Sequence, residues 1–87
     1  MFGVIKMYDT YSSLQEFIDD LKAVGEIEFE YNDKDYSLLY YDKIYICEYN
    51  KPETEKEYDT IEEFLNEFKI DGIPIRELAT RIKVIFH

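Results

Sequence analysis

The sequence predicts an α+β fold, a three-stranded antiparallel meander packed by three helices. Three observations carry this. Residues 26–31, 36–41 and 44–49 are strand-like runs rich in Ile, Phe, Tyr and Leu, separated by short polar turns. Residues 13–24 and 60–68 are capped amphipathic stretches of helical period. A third apolar stripe over residues 74–82 follows the turn pair Asp71-Gly72. The expected order is α-β-β-β-α-α, within a single domain over residues 1–87, because 87 residues leave no room for a second core.

The chain opens with Phe2-Gly-Val-Ile-Lys-Met-Tyr8, apolar and partly β-branched, which predicts an extra edge strand or a lid on the core. The first helix starts at Ser13. Ser13 and Glu16 have the spacing of a capping box, in which the hydroxyl accepts an early backbone N–H and the glutamate reaches back to the cap. Leu14, Phe17, Ile18 and Leu21 form one stripe. Asp19 and Asp20 could pair on a metal, but on such a helix adjacent acids read as a solvated face. Gly25 supplies the stop.

In the first strand Ile27, Phe29 and Tyr31 alternate with Glu26, Glu28 and Glu30, which predicts one buried and one wet face. The glutamates could bind a cation or a basic peptide; keeping the outer face solvated is the plainer role. Asn32-Asp33-Lys34-Asp35 reads as the hairpin loop. It is not a calcium loop, since the sixth position lacks glycine and the twelfth, Ile44, is not glutamate.

The second and third strands, joined by Asp42-Lys43, are apolar or aromatic on both faces. Their second face needs a cover: residues 2–8, the C-terminal tail, or a partner. Tyrosine suits an interface because its ring is buried while its hydroxyl stays bonded, so Tyr41, Tyr45 and Tyr49 are the candidate contact residues. Asn50 to Asp59 reads as a polar, mobile loop, because Pro52 and the charges oppose a strand.

Thr60 opens a second helix that repeats the first. Thr60 and Glu63 match Ser13 and Glu16, and Ile61, Phe64, Leu65 and Phe68 match the first stripe. Any well-capped amphipathic helix looks like this, so a duplication is not required. Pro74 fits the first position of the third helix, with Ile75, Leu78, Ala79 and Ile82 as its stripe. Val84 to Phe86 suit a strand or an extended tail. Arg76 and Arg81 are expected to pair with the acidic body.

Composition excludes more than it assigns. Twenty acidic residues face ten basic ones, a net charge of −10, which disfavours direct DNA or RNA binding. The excess lies in residues 1–69, with 18 acids to 7 bases; residues 70–87 hold 2 acids and 3 bases. The start lacks the basic opening and apolar core of a signal peptide, and no apolar run could span a bilayer. Cys47 is the only cysteine, which excludes an internal disulfide and fits a cytoplasmic location. With one histidine, His87, and glycines only at positions 3, 25 and 72, no metal, cofactor or catalytic motif is formed.

The runs Phe29-Glu-Tyr-Asn-Asp-Lys-Asp-Tyr36, Asn50-Lys-Pro-Glu-Thr-Glu-Lys-Glu-Tyr58 and Phe68-Lys-Ile-Asp-Gly-Ile-Pro-Ile-Arg-Glu-Leu78 resemble a group of small acidic proteins of Gram-positive bacteria. The resemblance spans residues 13–85 and implies this layout but no activity. The functional expectation is a non-enzymatic module that binds a protein partner or itself. The alternative is an acidic mimic of nucleic acid that occupies a basic site on another protein, and a small enzyme comes third.

Overall fold

The computed structural model describes residues 10–86. The expected strand over residues 2–8, and His87, lie outside the described residues. The elements are α1 (Leu14–Val24), β1 (Glu26–Tyr31), β2 (Lys34–Tyr40), β3 (Ile44–Glu48), β4 (Lys51–Tyr58), α2 (Ile61–Glu67), β5 (Lys69–Ile70), β6 (Ile73–Pro74), α3 (Ile75–Leu78) and β7 (Lys83–Phe86). The fold is α+β. The sheet has five antiparallel strands rather than three, in the order β4-β3-β2-β1-β7, and β5 and β6 form a separate small hairpin.

The expected meander is its centre. Ile27, Phe29, Tyr36, Leu38, Ile44 and Ile46 are buried from one face of β1–β3, and they share a core with Phe17 and Leu21 of α1 and Phe64 and Leu65 of α2. Tyr31 also points inward but is only half-buried at the strand end. The interleaved Glu26, Glu28 and Glu30 lie half-buried on the opposite face, as period two requires. Rings run through the core from Phe29, stacked on Tyr36 at 5.2 Å, to the edge of Phe68 at 6.2 Å, then to Phe64 at 5.7 Å.

Asn50–Asp59 is not a loop. Residues 51–58 form β4, an edge strand paired with β3. An edge strand bonds on one side only, so it tolerates Pro52 and carries charge on both faces, which guards the sheet against edge-to-edge association. The pairing is irregular: Ile46 opposes Lys56 and Glu48 opposes Lys51, so residues 52–55 stand opposite Cys47 alone. Thr54 closes this bulge. Its hydroxyl accepts the Glu48 N–H at 2.8 Å and donates to the Lys51 carbonyl at 2.7 Å. The C-terminal segment forms the other edge, β7, with Val84 opposite Phe29.

The strand limits shift because the turns are tighter than expected. Asn32 and Asp33 alone form the first turn, with φ of 54° and 64°. That is the type I′ geometry that matches strand twist, reached without glycine because Asn and Asp tolerate left-handed backbone. Lys34 and Asp35 therefore already belong to β2. At the other end β2 stops at Tyr40, and Tyr41-Asp42-Lys43 make the loop; β3 stops at Glu48, leaving Tyr49 in the next turn.

Both helices cap alike. Ser13 Oγ accepts the Glu16 N–H at 3.1 Å, and Thr60 Oγ1 accepts that of Glu63 at 3.0 Å. The glutamates reach one residue further back than a capping box requires: Glu16 accepts from the N–H of Ser12 and Glu63 from that of Asp59. Gly25 ends α1 at φ 83°, and a Cβ there would meet the Tyr40 carbonyl at 3.4 Å. The third helix is a single turn over Ile75–Leu78, with Pro74 at its N-cap rather than inside it. Its stripe is nevertheless buried at Ile75, Leu78, Ala79 and Ile82, because the chain must unwind after Leu78 to enter β7 while Ile82 stays in the core. Arg76 pairs with Glu62 of α2.

Candidate functional site

The helices pack on one face of the sheet, and the side chains that alternate with the core residues form the other. Registers fix their arrangement. Glu26 opposes Leu39, Leu39 opposes Tyr45, and Tyr45 opposes Glu57. One row across four strands thus reads acid, aliphatic, aromatic, acid. The next row runs Glu28, Ser37, Cys47. Neighbouring strands lie about 4.8 Å apart, so the two carboxylates closing the first row stand roughly 14 Å apart. Leu39, Tyr45 and Cys47 are half-buried and stand outside the core that the helices share with the sheet.

The acidic bands differ. Glu26, Glu28 and Glu30 run in file along β1, their spacing set at about 7 Å by the two-residue period. On the β4 side Glu57 accepts from Lys43 Nζ at 3.1 Å, and Lys43 also lies 3.6 Å from Asp59. Glu57, hydrogen-bonded to the Lys43 ammonium, raises that lysine's pKa, with Asp59 adding to the effect. At the far edge Lys83 stands opposite Glu30 in the β1–β7 ladder.

Of the three tyrosines expected at an interface, Tyr41 lies in the β2–β3 loop and Tyr45 in β3. Tyr45 is half-buried and its hydroxyl donates to Asp42 at 3.1 Å. Partial burial and the Asp42 carboxylate raise its pKa, so it stays a neutral donor. Tyr41 is 69% exposed and Tyr49 is 52% exposed. Tyr49 sits in the β3–β4 turn, about 13 Å along the strand from Tyr45 at the usual rise. Tyr41 and Tyr49 therefore flank the face from its two ends, and Leu39 and Tyr45 are its centre.

Cys47 lies in the second row. Burial and the nearby Glu55 push its thiol pKa up, the opposite of what a nucleophilic cysteine needs. Asp19 and Asp20 are engaged within their own helix region: Asp20 accepts from Tyr11 at 2.5 Å and Asp19 from Gln15 at 2.9 Å. Among the described residues no three His, Cys, Asp or Glu side chains gather as a metal site, and no helix is long and apolar enough to cross a membrane.

The sequence reading missed Glu57 as a member of the face, because it placed residues 50–59 in a loop. Glu53, Glu55 and Glu57 do alternate, a period-two signal that their polarity concealed. No protein-family model, curated protein or solved structure matches the chain, so function is read from this geometry.

Proposed function

We propose that this is a non-enzymatic protein-binding module, and that the open face of its sheet docks a partner surface bearing Lys or Arg around an apolar contact. The observation that carries this is the row Glu26, Leu39, Tyr45, Glu57: an apolar centre with carboxylates on both sides. The centre supplies burial and the acidic bands supply orientation and encounter rate. Two copies stacked on this face would bring carboxylate bands together whichever way they turned, so the charge argues against self-association. A reducing cytoplasm suits the unpaired Cys47.

A nucleic-acid mimic is the second reading, favoured by the single file of Glu26, Glu28 and Glu30 on β1. Both readings require a basic partner. They differ in whether the apolar centre contributes.

The test is an amide-resolved NMR titration with a synthetic extended peptide of alternating Lys and Leu, with Leu39→Ser and Tyr45→Ala as variants. The module reading expects shifts confined to residues 26–30, 37–39 and 45–47, and about tenfold weaker binding in either variant, the scale of one buried anchor. Unchanged affinity in the variants with loss at high salt would favour the mimic. Shifts spread over the acidic helix faces, or a concentration-dependent dimer in sedimentation, would overturn the docking reading.

A further inference from the structure

The bulge in β4 opens a second feature at the edge of the sheet, which touches the docking face only at Cys47 and shares none of the row Glu26, Leu39, Tyr45, Glu57. Between residues 53–56 and the segment 68–71 lies a cleft of about 440 Å³. Tyr36 forms part of its wall. This residue is only 6% exposed, its ring held between Phe29 and Phe68. Its hydroxyl bonds to no described residue, yet it is not among sealed, unsatisfied atoms, so its oxygen surfaces in the cleft. Burial, Glu48 and Asp71 raise its pKa and keep it protonated, a donor without an acceptor.

Charges of both signs surround it. Lys34, Lys56 and Lys69 reach the cleft from β2, β4 and β5, and none forms an ion pair among the described residues. Glu53 and Glu55 line it from the bulge and are likewise unpaired. The other two carboxylates are engaged, Glu48 by Lys51 at 3.5 Å and Asp71 by Asn32 at 2.5 Å. Phe68 and Ile70 give the cleft an apolar floor.

We propose that this cleft binds a small zwitterion with an apolar side chain, a free α-amino acid or an unblocked short peptide. The ligand carboxylate takes the Tyr36 hydroxyl and the lysine ammonium groups, its ammonium takes Glu53 and Glu55, and its side chain rests on Phe68 and Ile70. A simple anion would leave the two glutamates opposed to it; a simple cation would leave three lysines so. Only a ligand carrying both charges can form charge-assisted hydrogen bonds with the lysines and the glutamates together.

The test is an NMR titration of the full chain with L-leucine, Leu-Leu, N-acetyl-leucine and leucinamide. Saturable shifts at residues 34–36, 53–56 and 68–70 are expected with leucine or Leu-Leu, and whichever binds more tightly identifies the source. Blocking either charge should weaken binding about tenfold, the scale of a lost charge-assisted contact. Tyr36→Phe keeps the ring packing and should weaken it about tenfold, one hydrogen bond to a charged acceptor. Glu53→Gln with Glu55→Gln, both exposed, should weaken leucine while sparing N-acetyl-leucine. Absence of localised shifts with both zwitterions, or equal binding of the blocked forms, overturns the proposal; neither outcome bears on the docking face.

Discussion

The side-chain amide of Asn32 donates to the carboxylate of Asp71 at 2.5 Å, tying the tip of the β1–β2 hairpin to the β5–β6 turn 39 residues later. Both residues hold left-handed backbone, with φ of 54° and 55°. Each turn thus spends a conformationally tolerant residue on its own geometry and uses the same side chain to join the other turn.

Two substitutions separate these roles. Asn32→Gly keeps the backbone and loses the bond, costing about 1 kcal/mol. Asn32→Ala loses both and should cost about 1 kcal/mol more, the left-handed penalty for a residue with a Cβ. Urea denaturation of both variants measures the difference, and equal midpoints would mean the turn geometry contributes nothing.

Thr54 holds the β4 bulge by one hydroxyl with two partners. Thr54→Val preserves the side-chain shape and leaves the Glu48 N–H without its acceptor, at a cost of about 1–2 kcal/mol. Amide exchange at Glu48 should accelerate well beyond that of Leu38. Protection unchanged at Glu48 would show that another acceptor takes over.

Leu38 and Leu39 are sequence neighbours on opposite faces. Leu38 is 0% exposed in the core, so Leu38→Ala should cost about 2–5 kcal/mol, a large share of the stability of a domain this small. Leu39→Ala, on the open face, should cost about 1 kcal/mol or less. Thermal melts of the pair check the assignment of faces; a reversal would place the helices on the wrong side.

Tyr11, Tyr36 and Tyr58 all have raised pKa values, chiefly through burial, and Tyr11 also donates to Asp20 at 2.5 Å. A raised folded-state pKa means that the folded chain holds its phenolic protons more tightly than the unfolded chain. The stabilisation is complete below the unfolded value of about 10 and is lost as pH rises through it toward the folded value. Stability should therefore fall above about pH 10, and Tyr11→Phe should flatten that decline while lowering stability near neutral pH by about 1 kcal/mol. Denaturant midpoints between pH 8 and 11 provide the measurement.

Local signals carried much of this architecture. The alternation Glu26, Ile27, Glu28, Phe29 sets β1 and its two faces, because a strand turns successive side chains to opposite sides whatever surrounds it. The pairs Ser13 with Glu16 and Thr60 with Glu63 start both helices, because a cap is satisfied within one turn of chain. The stripe Ile75, Leu78, Ala79, Ile82 was legible as a buried set, although its helix shrinks to one turn.

What local signals missed was pairing. Within residues 51–58 only the polar alternation of Glu53, Glu55 and Glu57 marks a strand, since their ladder partners are on β3 and an edge position removes the need for an apolar face. Residues 84–86 read equally as strand or tail until β1 is placed beside them. The sequence by itself thus determined which side chains share a face and where helices begin, because those follow from the backbone's own periods and short-range bonds. Only the tertiary structure decided that Leu39 and Tyr45 stand between Glu26 and Glu57, and that Tyr36 shares a cleft with lysines from three strands, because adjacency across a sheet depends on hydrogen bonds between segments far apart in the chain.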